Sequence, residues 1–77
     1  MSESELLEFI RTQLKLRTIE PSSEMGKVRG WDSLRHLQLI LALEERFEIE
    51  IPPDLIGQLI TAQALVDYVR DAGKLAV

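Results

Sequence analysis

The chain has 77 residues, of which 45% are hydrophobic and 29% charged, with no cysteine and a single histidine. Such a composition suits one small folded domain and excludes disulfides, thiolate metal sites and a cysteine nucleophile. The net charge of −4 argues against nucleic acid as a partner, while a basic protein surface or simple solubility would each account for it. We expect residues 1–77 to form a single domain.

The chain opens without a signal-peptide pattern, and its longest apolar run, LILAL, is far shorter than a membrane span. One histidine without any cysteine cannot build a His-rich or thiolate metal site. The sequence therefore predicts a cytoplasmic protein that has neither a membrane segment nor a metal centre.

The first segment, SESELLEFIRTQLKL, is typical of an amphipathic helix. Leu6, Ile10 and Leu14 recur at four-residue spacing and predict its buried face. Either Ser2 or Ser4 is a suitable N-cap, because a serine hydroxyl accepts a hydrogen bond from the first free backbone amides. Pattern and local chemistry agree here, which favours a purely structural helix.

Residues 17–32, RTIEPSSEMGKVRGWD, interrupt the helical pattern with proline, serine and glycine. Loops of this length are unusual in a compact domain and are often functional or disordered. We expect this one to be ordered, with room for a short helical turn. The apolar residues expected to pin it to the domain are Ile19, Met25, Val28 and Trp31.

The second helix is predicted from Ser33 to Phe47, and it carries two apolar lines. One consists of Leu39, Leu43 and Phe47, which we assign to the core. An ordinary surface helix needs only that one stripe. A second line is displaced around the helix and either packs against other helices or stays exposed for a partner. Its members are Leu34, Leu37 and Leu41.

After the second helix, Pro52 and Pro53 stop the helical pattern and permit a new start. A short helix over DLIGQL is predicted, capped by Asp54 and weakened by Gly57. Thr61 is a suitable cap for a last helix, AQALVDYVRDAG. No segment is typical of a paired strand. The residues of the last helix assigned to the core are Leu65, Val66 and Val69.

Ser33 permits three interpretations. It could be a catalytic nucleophile with His36 as its base, although no G-x-S-x-G elbow is present. It could be a helix cap, a role that Asp32 fills equally well. It could also be a covalent attachment point, since the free N–H groups and dipole of a helix N-terminus favour a phosphate ester. An attached arm would then supply the thiol that this chain lacks.

The attachment interpretation is favoured by a resemblance. The stretch GWDSLRHLQLILALEERFEIEIPPDLIGQLITAQALVDYV resembles the acyl carrier protein family of acyl, aminoacyl and peptidyl carriers. The family has an aspartate–serine–leucine signature at the start of its second helix, matched here by Asp32, Ser33 and Leu34. The family's later blocks are resembled, in the correct order, by ALEERFEIEIP and QALVDYV. The first helix matches the family by type and length only.

The resemblance implies an all-α, four-helix bundle with three longer helices, one short helix and a long loop between helices one and two. It also implies that a phosphopantetheinyl transferase attaches 4′-phosphopantetheine from coenzyme A to Ser33. An acyl- or aminoacyl-activating ligase would load a thioester on the arm, and downstream synthases or transferases would use it. The protein itself would be a monomeric, non-catalytic carrier.

The resemblance further implies that partners dock on the second helix. This sequence departs from the acidic pattern of fatty-acid carriers, because it has Arg35, His36 and Gln38 after the signature. We expect His36 to be an exposed surface residue. Arg35 either selects partners or only pairs with Asp32 or the arm's phosphate. The predicted docking residues are Leu34, Arg35, Leu37, Gln38, Leu41, Glu44 and Glu45.

These departures favour a free-standing carrier of a specialised pathway over the housekeeping fatty-acid carrier, although an excised module of a larger synthase stays open. Trp31 is expected to anchor the end of the loop, with a ligand contact as the alternative. The alternative from another class of function is an unmodified helical adaptor that binds a basic amphipathic partner through the second leucine line.

Overall fold

In a computed structural model that describes residues 1–75, the regular secondary structure of those residues is helical apart from one isolated bridge. The helices are α1 (Glu3–Leu14), α2 (Ser33–Phe47), α3 (Pro53–Ile56) and α4 (Ala62–Asp71). Three are longer, and α3 is one short turn. The predicted four-helix, all-α fold with a long loop after its first helix is confirmed.

Helix α1 begins with a reciprocal cap. Ser2 Oγ accepts a hydrogen bond from Glu5 N (3.1 Å), and Glu5 Oε1 accepts one from Ser2 N (2.9 Å). This arrangement satisfies two backbone donors at once, so Ser2 rather than Ser4 is the cap. The helix ends at Leu14, and its C-cap, Lys15, has a left-handed backbone. Its fully buried residues are the predicted Leu6, Ile10 and Leu14.

Helix α2 has the predicted bounds, and its N-cap is Asp32. Asp32 Oδ1 accepts a hydrogen bond from Arg35 N (2.8 Å), so Ser33 is the first helical residue and not the cap. The predicted core line is confirmed. Ile40 and His36, which the spacing of the leucines alone did not assign, join it. The buried face consists of His36, Leu39, Ile40, Leu43 and Phe47.

The loop between α1 and α2 is bonded to the segment that opens α4. Glu24 forms an isolated bridge with Thr61, and Met25 N donates to Ile60 O (2.8 Å). Val28 N donates to Glu24 O (3.1 Å), which closes one helical turn inside the loop. The expected pinning is confirmed. Ile19, Met25 and Val28 pack partly buried against the core, and Trp31 is fully buried within it.

Helix α3 starts one residue before the predicted segment DLIGQL and ends three residues before its end, at Ile56. Its cap is Pro52, without a side-chain hydrogen bond, and Asp54 lies inside the first turn. The predicted Asp54 cap is wrong because Pro53, with its fixed backbone angle and no N–H, already fits the first helical position. The cap of α4 is Thr61, as predicted, and its Oγ1 accepts a hydrogen bond from Ala64 N (3.1 Å).

The core lies between α1, α2 and α4, and α3 contributes no fully buried residue to it. Because none of its residues is fully buried, the short helix α3 lies at the edge of the bundle. None of the helices within residues 1–75 is both long enough and apolar enough to cross a membrane. Besides residues of α1 and α2, the core contains Trp31, Ile51, Ala62, Leu65, Val66, Val69 and Leu75.

Candidate functional site

The backbone that leads into α2 is fixed by Trp31. Its side chain is fully buried, which confirms its expected role as the anchor of the loop. Its backbone N–H donates to Val28 O (3.1 Å), its carbonyl accepts from Gly26 N (2.8 Å), and its Nε1 donates to His36 Nδ1 (3.0 Å). The residues that follow Trp31 therefore start from a well-defined position.

Ser33 projects from this anchored start into solvent. It is exposed, and its hydroxyl has no hydrogen-bond partner within residues 1–75. The backbone N–H groups of Ser33 and Leu34 likewise have no partner among these residues, whereas Asp32 occupies the amide of Arg35. The hydroxyl thus stands beside two free donors at the positive end of a 15-residue helix, an environment that favours an attached anion.

His36 is buried, so the expectation that it is a surface residue is wrong. Only 2% of the residue is exposed. Because an indole N–H can only donate, Nδ1 must accept from Trp31, and the proton of the neutral ring must lie on Nε2. Nε2 then donates to Ile56 O (2.9 Å). Burial lowers the pKa of His36 below its ordinary value, opposed by its bond to Ile56.

Both ring nitrogens of His36 are therefore occupied, which leaves no nitrogen to remove a proton from Ser33. The Ser–His nucleophile interpretation has no geometric support. The spacing signal that could have placed His36 correctly was present: it precedes Ile40, Leu43 and Phe47 by four, seven and eleven residues, the spacing of one helical face.

Next to Ser33, α2 exposes three leucines, a set that we name the leucine line: Leu34, Leu37 and Leu41. These residues are 65%, 45% and 56% exposed. At about 100° per residue, they fall within roughly 100° of Ser33 on the same side of the helix. The second apolar line of α2 is thus a surface feature and not part of the core.

The other predicted docking residues divide into two groups. At about 100° per residue, Gln38, Glu44 and Glu45 border the leucine line. Glu44 is half-buried because its Oε2 also accepts a hydrogen bond from Ile51 N (2.8 Å). Arg35 lies about 160° round the helix from Ser33, so a surface that covers the leucine line does not automatically cover Arg35.

Arg35 is exposed, and its guanidinium forms no ion pair with Asp32 or with any other acidic group among the described residues. The hydrogen bond between Arg35 and Asp32 involves the backbone N–H of Arg35, which donates to Asp32 Oδ1 (2.8 Å). Further along the same flank, Ala42 and Arg46 border a shallow groove with Phe9 of α1. Arg35 therefore belongs to the side of α2 that leads toward α1.

A comparison with protein families gives an independent result. A family model described as a phosphopantetheine attachment site matches residues 4–69, which is most of the chain. The match includes all of α2 and α3 and nearly all of α1 and α4. It therefore extends over the first helix, where the sequence resemblance rested on type and length alone.

Proposed function

We propose that Ser33 is the residue of this chain to which 4′-phosphopantetheine is attached. The chain belongs to the phosphopantetheine attachment family and is a carrier that bears this group covalently. The observation that carries the proposal is the exposed Ser33 hydroxyl, free of internal hydrogen bonds within residues 1–75, at the start of α2. It belongs to the aspartate–serine–leucine signature.

The attachment step needs only the serine oxygen from this chain. Ser33 Oγ forms a bond to the phosphorus that bears the pantetheine part of coenzyme A, and the bond from that phosphorus to the bridging pyrophosphate oxygen breaks. Adenosine 3′,5′-bisphosphate leaves with that oxygen, and the serine proton passes to a base of the transferase. No base within this chain is required, in keeping with the engagement of His36 in the core.

The protein's own contribution is to hold the resulting phosphodiester. The free N–H groups of Ser33 and Leu34, together with the helix dipole, favour a negative charge there, an effect of about 0.3–1 kcal/mol at an exposed site. The bound group supplies a thiol, which a chain without cysteine does not have. The residues present therefore fit the group.

We further propose that an acyl or aminoacyl group is loaded as a thioester by an activating ligase and withdrawn by downstream synthases or transferases. The leucine line and its acidic border, Glu44 and Glu45, form a docking surface for partners that present an apolar patch with basic neighbours. Since His36 faces inward, the surface departures from fatty-acid carriers reduce to Arg35 and Gln38. They support a carrier of a specialised pathway over the housekeeping fatty-acid carrier.

Intact-mass spectrometry tests the proposal. The protein is incubated with coenzyme A and a broad-specificity phosphopantetheinyl transferase, alongside Ser33→Ala and the control Ser22→Ala, which alters an exposed loop serine. Wild type and Ser22→Ala should gain one phosphopantetheine, and Ser33→Ala none.

Modification of Ser33→Ala would overturn the assignment of the residue. If wild type gains no mass while a known carrier does in the same reaction, the attachment proposal fails. The leucine line would then be the surface of an unmodified adaptor that binds a basic amphipathic partner.

A further inference from the structure

His36 links three segments that are separate in the chain. The ring belongs to α2, its Nδ1 accepts from Trp31 in the lead-in to the helix, and its Nε2 donates to the last carbonyl of α3 at Ile56. Both bonds have ordinary hydrogen-bond lengths, 3.0 and 2.9 Å, and the ring is almost completely removed from solvent. Loss of either partner would leave a buried polar group unsatisfied.

The segment that contains α3 depends on polar bonds from α2 to a greater degree than the longer helices do. Glu44 Oε2 accepts from Ile51 N (2.8 Å) just before α3, and His36 Nε2 donates to Ile56 O at its end. None of the four residues of α3 is fully buried. His36 and Glu44 are eight residues apart, so they lie on one flank of α2 and hold the segment at both ends.

From this arrangement we infer that His36 is a positioning residue that couples the placement of Ser33 to the packing of α3 against α2. Through Trp31 the ring fixes the backbone that leads to Ser33, and through Ile56 it holds α3 against α2. Displacement of α3 removes the acceptor of Nε2, frees the ring to turn, and weakens the Trp31 anchor. The part of this inference that concerns Ser33 rests on the proposed attachment at that residue.

A purely space-filling histidine would behave differently. A hydrocarbon of similar volume would fill the same place, but it would leave Trp31 Nε1 and Ile56 O without their buried partners. Two substitutions separate the two bonds. Asparagine places an acceptor near the position of Nδ1 but is too short to reach Ile56. Glutamine places a donor near Nε2 and leaves Trp31 without its acceptor.

The test measures two quantities on each variant, under conditions where circular dichroism shows it folded. The first is kcat/KM for modification by the transferase, with the carrier as the varied substrate. The second is hydrogen exchange of Gln58 and Leu59, whose amides donate to Leu55 O and close the turn of α3. A lost hydrogen bond should change the corresponding quantity by about tenfold.

For His36→Asn we expect near-normal modification and exchange about tenfold faster at α3. For His36→Gln we expect near-normal exchange at α3 and a kcat/KM about tenfold lower. The control is Val69→Ala, which removes buried volume from α4 without touching either bond. It should lower thermal stability while leaving both quantities within about twofold in the folded protein.

The inference is overturned if both His36 variants match Val69→Ala in both measurements. A second measurement needs no variant: nitrogen NMR of the wild-type ring at neutral pH should find the proton on Nε2, and a proton on Nδ1 would contradict the geometry. If Ser33 proves not to be the attachment residue, the proposed function fails in the mass experiment. The exchange and NMR results still test the hold on α3 separately.

Discussion

Helices α1 and α2 obey the same amphipathic rule with different outcomes. In α1, the fully buried residues form one stripe, Leu6, Ile10 and Leu14, and no leucine is left exposed. Helix α2 has a complete buried face and in addition the exposed leucine line. A single exposed leucine is ordinary, but three on one flank form a contiguous apolar patch, which is a feature of interaction surfaces.

The two helices also differ in the charges of their first turns. The first turn of α1 contains Glu3 and Glu5, which suit the positive helix end, whereas the first turn of α2 contains no acidic residue and includes Arg35. Helix α1 thus neutralises its own N-terminus. Helix α2 instead has its anionic group at the N-cap, Asp32, and leaves the amides of Ser33 and Leu34 without a partner among residues 1–75, where the proposed phosphate ester would accept from them.

The largest expected difference in stability comes from truncating one leucine on each face of α2. Leu43→Ala should destabilise the protein by about 2–5 kcal/mol, because Leu43 is completely buried. Leu41→Ala should stay within about 0.5 kcal/mol, because Leu41 is exposed. Chemical denaturation followed by circular dichroism measures both. Comparable losses from the two variants would show that the leucine line supports the fold.

A smaller effect should come from the cap of α2. Asp32→Ala removes the acceptor of Arg35 N and should cost about 1 kcal/mol of stability, while Asp32→Asn keeps an acceptor and should cost less. The matching change in α1, Ser2→Ala, should have a similar cost. Thermal melts of the three variants test this. If Asp32→Ala melts like wild type, the cap contributes nothing to α2.

The core stripes could be predicted from sequence because residues four apart must share one face of a helix. Leu6, Ile10 and Leu14 are buried as predicted. The burial of His36 was not predicted, because a histidine is polar by type although its position falls on the core face of α2. A polar side chain can occupy a core position only if partners reach it, and its partners, Trp31 and Ile56, come from elsewhere in the chain.

The attachment motif could be found from sequence, but its local geometry could not. Asp32 and Ser33 are equally good caps by type, and the choice depends on where the buried Trp31 places the chain. The position of Arg35 followed from helical periodicity alone, about 160° from Ser33. Grouping it with the leucine line ignored that angle, so its partner role remains a separate prediction.

Charge reversal at Arg35 tests that separate role. If Arg35 helps to select a partner, Arg35→Glu should lower kcat/KM with the cognate ligase by a few-fold, and the loss should shrink at high salt because exposed charges are screened. Lys74→Glu makes the same change in net charge at an exposed position after α4 and should leave the rate unaltered. Equal rates for wild type and Arg35→Glu, with both ligase and transferase, would end the partner-choice hypothesis.

Acid should affect the two helices at different pH. Burial lowers the pKa of His36 below its ordinary 6.5, so below that pH the unfolded chain binds a proton that the folded protein resists. Stability should therefore be complete above pH 6.5 and fall as the pH drops below it. In α1, a hydrogen bond with the Ser2 backbone lowers the pKa of Glu5 from 4.5, so its contribution is lost only at lower pH.

The two steps can be separated with His36→Asn, which has no group that titrates in the upper window. Denaturation midpoints measured from pH 8 to pH 3 should fall in wild type from about pH 6.5 downward, whereas the variant should stay level until the carboxylates begin to protonate. The fluorescence of the single tryptophan in the folded protein should change at a lower pH than the onset of this fall, when His36 itself becomes protonated and can no longer accept from Trp31. If the loss of stability below pH 6.5 persists in His36→Asn, that loss arises from another group and not from His36.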